Sequence, residues 1–183
     1  VTAYAAFLRA INVGGRRVTN DQLRAAFETL DLSGVRTLLA SGNVVFTSNR
    51  RSTDALEIDI GAALADRFGF SVRTFVRSRA QLEACLGAAP FGPVPDGSTV
   101  HIMFLERAPE PAVVTAIEAA SLPGDELRVV GSELHWLRAG RMTDTALDWK
   151  AIDRGPAATL GETTTRTAAT VDKALALMRA DRT

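Results

Sequence analysis

Arg77-Ser78-Arg79-Ala80-Gln81-Leu82-Glu83-Ala84-Cys85-Leu86 aligns without a gap to Arg166-Thr167-Ala168-Ala169-Thr170-Val171-Asp172-Lys173-Ala174-Leu175. Each run reads as a strand end, an arginine, a hydroxyl cap and an amphipathic helix, so two distant stretches describe the same local structure. Two capped helices can look alike by chance. What favours duplication is the order of the elements in front of each run.

Ahead of the first run, Tyr4 to Ile11 is apolar apart from Arg9 and reads as a strand buried on both faces. A Gly14-Gly15 turn leads into a helix with Thr19 and Gln22 at capping-box spacing and Leu23, Ala26, Phe27 and Leu30 on one stripe. Gly34 reads as a break. Val35 to Ala40 and Asn43 to Ser48 then read as a hairpin through Ser41-Gly42. A helix with Leu56, Ile60, Leu64 and Phe68 inward stops at Gly69, and Val72 to Arg77 is a fourth strand. The order is βαββαβ, the ferredoxin-like order.

Ahead of the second run the order repeats. Val100 to Leu105 reads as a strand, Pro111 to Ala120 as a helix, and Leu127 to Val130 with Leu134 to Leu137 as a hairpin. Asp144 to Ile152 reads as a helix, Glu162 to Thr165 as a short strand, and Thr167 as the cap of a last helix. Ala88 to Ser98, with three prolines and two glycines, reads as a linker. The expectation is an α+β protein of two ferredoxin-like (βαββαβ-type) halves related by internal duplication: residues 1–87, a linker over 88–98, and 99–183 with the C-terminal helix.

The 183 residues are 46% hydrophobic, which supplies a core without metal or disulfide help. Cys85 is the single cysteine, no run reads as a secretory leader, and no apolar stretch approaches the ~20 residues of a membrane span. A cytoplasmic protein with no membrane contact is expected. Net charge is zero, yet residues 1–90 hold 11 Lys+Arg against 8 Asp+Glu, every one of the 11 an arginine. Zero net charge and 6% aromatic content argue against nucleic acid as the main partner. The basic first half leaves room for a small anionic partner.

The candidate site begins with Arg9 to Arg16. This segment leaves a central strand, passes two adjacent glycines and enters a helix, so it exposes backbone N–H groups that Arg9 and Arg16 could join around an anion. The plainer reading is a tight turn with Asn12 bonded to its own loop. Neither GxGxxG nor GxxxxGK[ST] is present. Ser41-Gly42-Asn43 is a turn by composition. Ser41 lacks the surroundings of a nucleophile. Arg166 follows three threonines and precedes a helix, the parts of an oxyanion site or of an ordinary capped helix.

His101 and His135 sit in strands whose faces could bring them together, Cys85 reads as core, and no spacing marks a metal site. Trp136 and Trp149 read as core or interface anchors. The candidate ligand-binding set is therefore Arg9, Asn12, Gly14, Gly15, Arg16, Ser41, Asn43 and Arg166, with no cofactor or catalytic residue assigned. In a ferredoxin-like order, the loop after the first strand and the second-to-third strand hairpin are not expected to share an end without packing between the halves.

Three motifs in this order, Arg9-Ala10-Ile11-Asn12-Val13-Gly14-Gly15, Ser41-Gly42-Asn43-Val44-Val45-Phe46 and Thr163-Thr164-Thr165-Arg166, resemble the bacterial DUF1697 family of unknown function over about Tyr4 to Leu177. The resemblance implies a two-part α+β protein with ferredoxin-like halves and implies no activity. The chain departs from the pattern at Ala10, where a glycine is usual. Thr167 and Ala168 replace an Asn-Trp pair, and a usual Ser-Lys is missing around Arg141-Met142-Thr143.

Overall fold

The computed structural model describes residues 1–39, 42–140 and 145–180, so Ser41, Arg141–Thr143 and Asp144 lie outside the described residues. The order is β1 (Thr2–Leu8), α1 (Asn20–Glu28), β2 (Ser33–Leu38), β3 (Asn43–Ser48), α2 (Thr53–Phe68), β4 (Thr74–Ser78) and α3 (Arg79–Gly87). It continues with β5 (Ser98–Phe104), α4 (Pro111–Ala119), β6 (Asp125–Val130), β7 (Glu133–Ala139), α5 (Trp149–Arg154), β8 (Thr164–Thr167) and α6 (Ala168–Ala180).

The fold is α+β with two four-stranded antiparallel sheets, β2-β3-β1-β4 and β6-β7-β5-β8, which are the same order by position. Local chemistry accounts for the element ends. Thr19 and Gln22 form both bonds of the capping box, Ser78 and Gln81 do the same at α3, and Gly69 ends α2 in the left-handed region at φ 74°. Thr167 Oγ1 accepts from Thr170 N at 3.2 Å, so the threonine at this departure from the family pattern still caps α6.

Three element readings are corrected. β1 stops at Leu8 rather than Ile11, because Ala10 takes a left-handed φ of 52° that a strand cannot continue through. Gly34 lies inside β2 instead of breaking the chain: its φ of 61° coincides with a register shift between Ser33 and Arg36, a bulge. The helix read from Asp144 starts at Trp149, because Asp148 acts as its cap and accepts from Ala151 N at 3.0 Å.

In the first sheet, one face buries Tyr4, Ala6, Leu8, Val44, Phe46 and Val76 against Leu23 and Phe27 of α1 and Leu56, Ile60 and Leu64 of α2. In the second, Leu127, Leu134 and Trp136 meet Ile117 of α4 and Ile152 of α5. Edge strands carry backbone donors that no neighbouring strand satisfies. A helix glutamate covers one of them in each sheet: Val76 N donates to Glu57 Oε1 at 2.8 Å, and Val129 N to Glu118 Oε1 at 2.9 Å.

The chain forms two compact units, Val1–Ala84 with Val171–Thr183, and Cys85–Thr170. Most of α6, read from the sequence with the second half, thus groups with the first. Arg36 of β2 donates to the Leu177 carbonyl at 2.6 Å, and Arg179 pairs with Glu83 at 3.2 Å.

Candidate functional site

Antiparallel pairing decides what meets at the exit of β1. Phe7 stands opposite Asn43, and Leu8 opposite Thr74, so β1 finishes where β3 and β4 begin. The expectation that the loop after β1 and the β2–β3 hairpin come together only through packing between the halves is therefore corrected: they share an end through the sheet itself. Leu8 N donates to Gly42 O at 2.8 Å and Arg9 N to Arg73 O at 2.9 Å. Gly42 is required here. Its φ is 71°, and a Cβ would fall 2.7 Å from Ile11 Cγ2 and 3.1 Å from Leu8 Cβ.

The loop that follows is closed by Asn12. Its Nδ2 donates to Val18 O at 3.2 Å and its Oδ1 accepts from Val18 N at 2.6 Å, which ties the loop's start to the residue before the α1 cap. Gly14 and Gly15 have φ of 66° and 83° with open space where a Cβ would stand, so they supply conformation and leave the backbone exposed. Arg16 lays its guanidinium over the Phe70 ring at 4.2 Å from the centroid. Phe70 leads into β4, so Arg9, Arg16 and Arg73 belong to one end of the first sheet.

Of the sequence candidates, Arg9, Asn12, Gly14, Gly15 and Arg16 are exposed at this end. Asn43 is at the same end but is 1% exposed, its Nδ2 donating to Leu38 O at 2.9 Å to hold the hairpin. Ser41 is outside the described residues. Arg166 belongs to the other compact unit. There its Nη1 donates to Thr164 Oγ1 at 2.9 Å and Thr165 O at 2.8 Å, and burial lowers the guanidinium to about 10. Arg73 was absent from the sequence candidates, although antiparallel pairing of the first and fourth strands of a βαββαβ order places it beside Arg9.

The two histidines do not meet. His101 pairs with Trp136 and Ile102 with His135, so alternation puts the imidazoles on opposite faces of the second sheet. His101 is 5% exposed, its Nε2 has no hydrogen-bond partner among the described residues, and its ring lies 5.0 Å from that of Trp136. Burial holds it below its ordinary value, helped by Arg138. His135 is lowered by burial too, against the pull of Glu133, and its Nε2 lies 4.0 Å from Cys85 Sγ. No sequence spacing announces this thiol–imidazole contact across 50 positions. Among the described residues no group of three His, Cys, Asp or Glu could hold a metal, and no helix is long and apolar enough to cross a membrane.

The fold is similar to that of the conserved bacterial protein SP0830 from Streptococcus pneumoniae, with a TM-score of 0.69 and 23% identity over 97% of this chain and 98% of that one. Comparison with curated proteins gives no match. A family model described as a protein of unknown function, DUF1697, matches residues 1–135. With the motifs at the exit of β1 and at the β2–β3 hairpin inside that span, the chain belongs to the DUF1697 family.

Proposed function

We propose that the protein binds a small anionic, phosphate-bearing ligand at the Asn12–Arg16 loop, a nucleotide being one candidate. The observation that carries this reading is the gathering of Arg9, Arg16 and Arg73 beside two exposed glycines of positive φ at one end of the first sheet. An arginine stacked on an aromatic ring keeps the N–H groups at its edge available for two oxygens of a phosphate, and exposed loop amides add fixed donors. Asn12 then acts as the brace that holds the loop open.

No nucleophile or acid–base pair stands at this end among the described residues, so binding is favoured over catalysis on such a ligand. Arg166, considered as a further contributor to this site, lies in the other unit with its Nη1 donating to Thr164 and Thr165, and the reading does not depend on it. The matching strand orders and the Arg77 and Arg166 runs support descent of the halves from one duplicated unit. The lone buried thiol fits a reducing compartment such as the cytoplasm.

The test is a thermal-shift screen with inorganic phosphate and nucleoside mono-, di- and triphosphates on the native protein and on the R9A/R16A variant. A saturable rise in Tm that the variant loses, with its circular dichroism unchanged, supports the reading. A native protein indifferent to every phosphate sinks it.

A further inference from the structure

On the face of the second sheet that carries Ile102 and His135, a half-open pocket of about 140 Å³ is lined by Leu86, Phe91, Val94, Val100 and Ile102, with Cys85 and His135 in its wall. All of these residues belong to one compact unit. Cys85 is 3% exposed and His135 2%, and each presents its reactive atom to the other at 4.0 Å. A dry apolar cavity of about 150 Å³ is large enough to hold benzene. Filling this one therefore takes a molecule of about that size.

The chemistry of the wall narrows the ligand further. A sulfur nucleophile prefers a soft carbon, and a neutral imidazole beside it can accept the thiol proton. Burial lowers His135, which keeps that acceptor available at neutral pH. Apart from this pair the named wall is hydrocarbon, without an arginine, lysine or metal to stabilise a charged leaving group. Addition suits such a wall better than displacement, because addition releases nothing.

We propose that this pocket is a binding site for a small apolar α,β-unsaturated carbonyl compound, with Cys85 as the thiol that adds to it and His135 as the proton carrier. Cys85 Sγ forms a C–S bond to the β-carbon while the C=C π pair moves to give the enolate. The thiol proton passes through His135 Nε2 to the α-carbon. Nothing is oxidised or reduced and nothing leaves. This site is independent of the arginine-lined loop of the other unit.

Because Cys85 is the only cysteine, intact-protein mass spectrometry reads its modification without ambiguity. The native protein is treated with N-ethylmaleimide, an apolar unsaturated carbonyl, and with charged iodoacetate, each with and without saturating benzene. The expected result is faster labelling by the maleimide under native conditions, slowed at least about fivefold by benzene, and a lower rate with a flatter pH profile for H135Q. Labelling only after denaturation, or at a rate benzene leaves unchanged, overturns the proposal. If H135Q fails to fold, benzene protection of the native protein decides together with A168L: Ala168 also lines the pocket, and the larger side chain placed there must abolish that protection.

Discussion

The two sheets have the same strand order, but their interiors are made differently. The first is closed by aromatic and aliphatic packing: Tyr4 and Phe46 rings stack at 5.7 Å and Phe27 meets Phe46 at 5.8 Å. The polar atom at this cluster, Tyr4 Oη, donates to Arg50 O at 2.6 Å. The second is built around a buried carboxylate. Asp125, 4% exposed, accepts from Trp136 Nε1 at 2.8 Å, Thr145 Oγ1 at 3.0 Å and Ala146 N at 3.0 Å, while Trp136 also meets Trp149 edge-on at 4.9 Å and His101. One topology thus tolerates an interior closed by stacked rings and another organised around a buried, hydrogen-bonded carboxylate.

The largest effect should come from emptying the first interior. Phe46→Ala removes a fully buried ring and should cost about 3–5 kcal/mol in denaturant unfolding. Trp136→Phe keeps an aromatic ring but removes both the Nε1 donor to Asp125 and part of the indole volume. A loss well short of that from Phe46→Ala would show that the second interior leans less on this one ring than the first does on Phe46.

Asp125→Ala should cost about 2–3 kcal/mol, because three donors lose one carboxylate together. A loss no greater than that of an ordinary surface substitution would mean water replaces the carboxylate, and the contrast between interiors would collapse.

Acid provides a gentler test. His101 and His135 both have folded values below the ordinary 6.5, so the unfolded chain binds protons first and stability falls as pH drops through that value. The denaturant midpoint should be lower at pH 5.5 than at pH 7.5, and the H101Q/H135Q double variant should lose most of that difference. Glu57, raised mainly by burial, contributes in the opposite sense: its share is present below the ordinary 4.5 and fades as pH rises through its folded value.

The smallest expected change is a gain. Ala10→Gly should stabilise by about 1 kcal/mol, because φ of 52° strains any residue with a Cβ. A loss instead would show that the Ala10 methyl packs in the fold.

These contrasts also mark what a linear reading can see. Capping pairs three residues apart and apolar stripes are local, so Thr19 with Gln22, Ser78 with Gln81 and the Gly69 stop were legible, and with them the α+β class and the repeated strand order. The positive φ at Ala10 was hinted at only by its place in a motif where glycine is usual. Asp125 gave no signal, since its donors sit 11, 20 and 21 positions away. The approach of Cys85 to His135 was equally silent. That β1 ends where β3 begins could have been deduced, because it follows from antiparallel pairing alone. Which sheet α6 would join could not, because an amphipathic stripe records that it must be buried and says nothing of where.

The first compact unit takes residues 1–84 and then waits for residue 171 onward, with the whole second unit made in between. At about 5–20 residues per second the ribosome needs roughly 4–17 seconds to cross that gap. During it the first sheet exists without Val171, Ala174, Leu175 and Met178, the buried stripe of α6. The second unit is complete in sequence before the first, although its chain is made later.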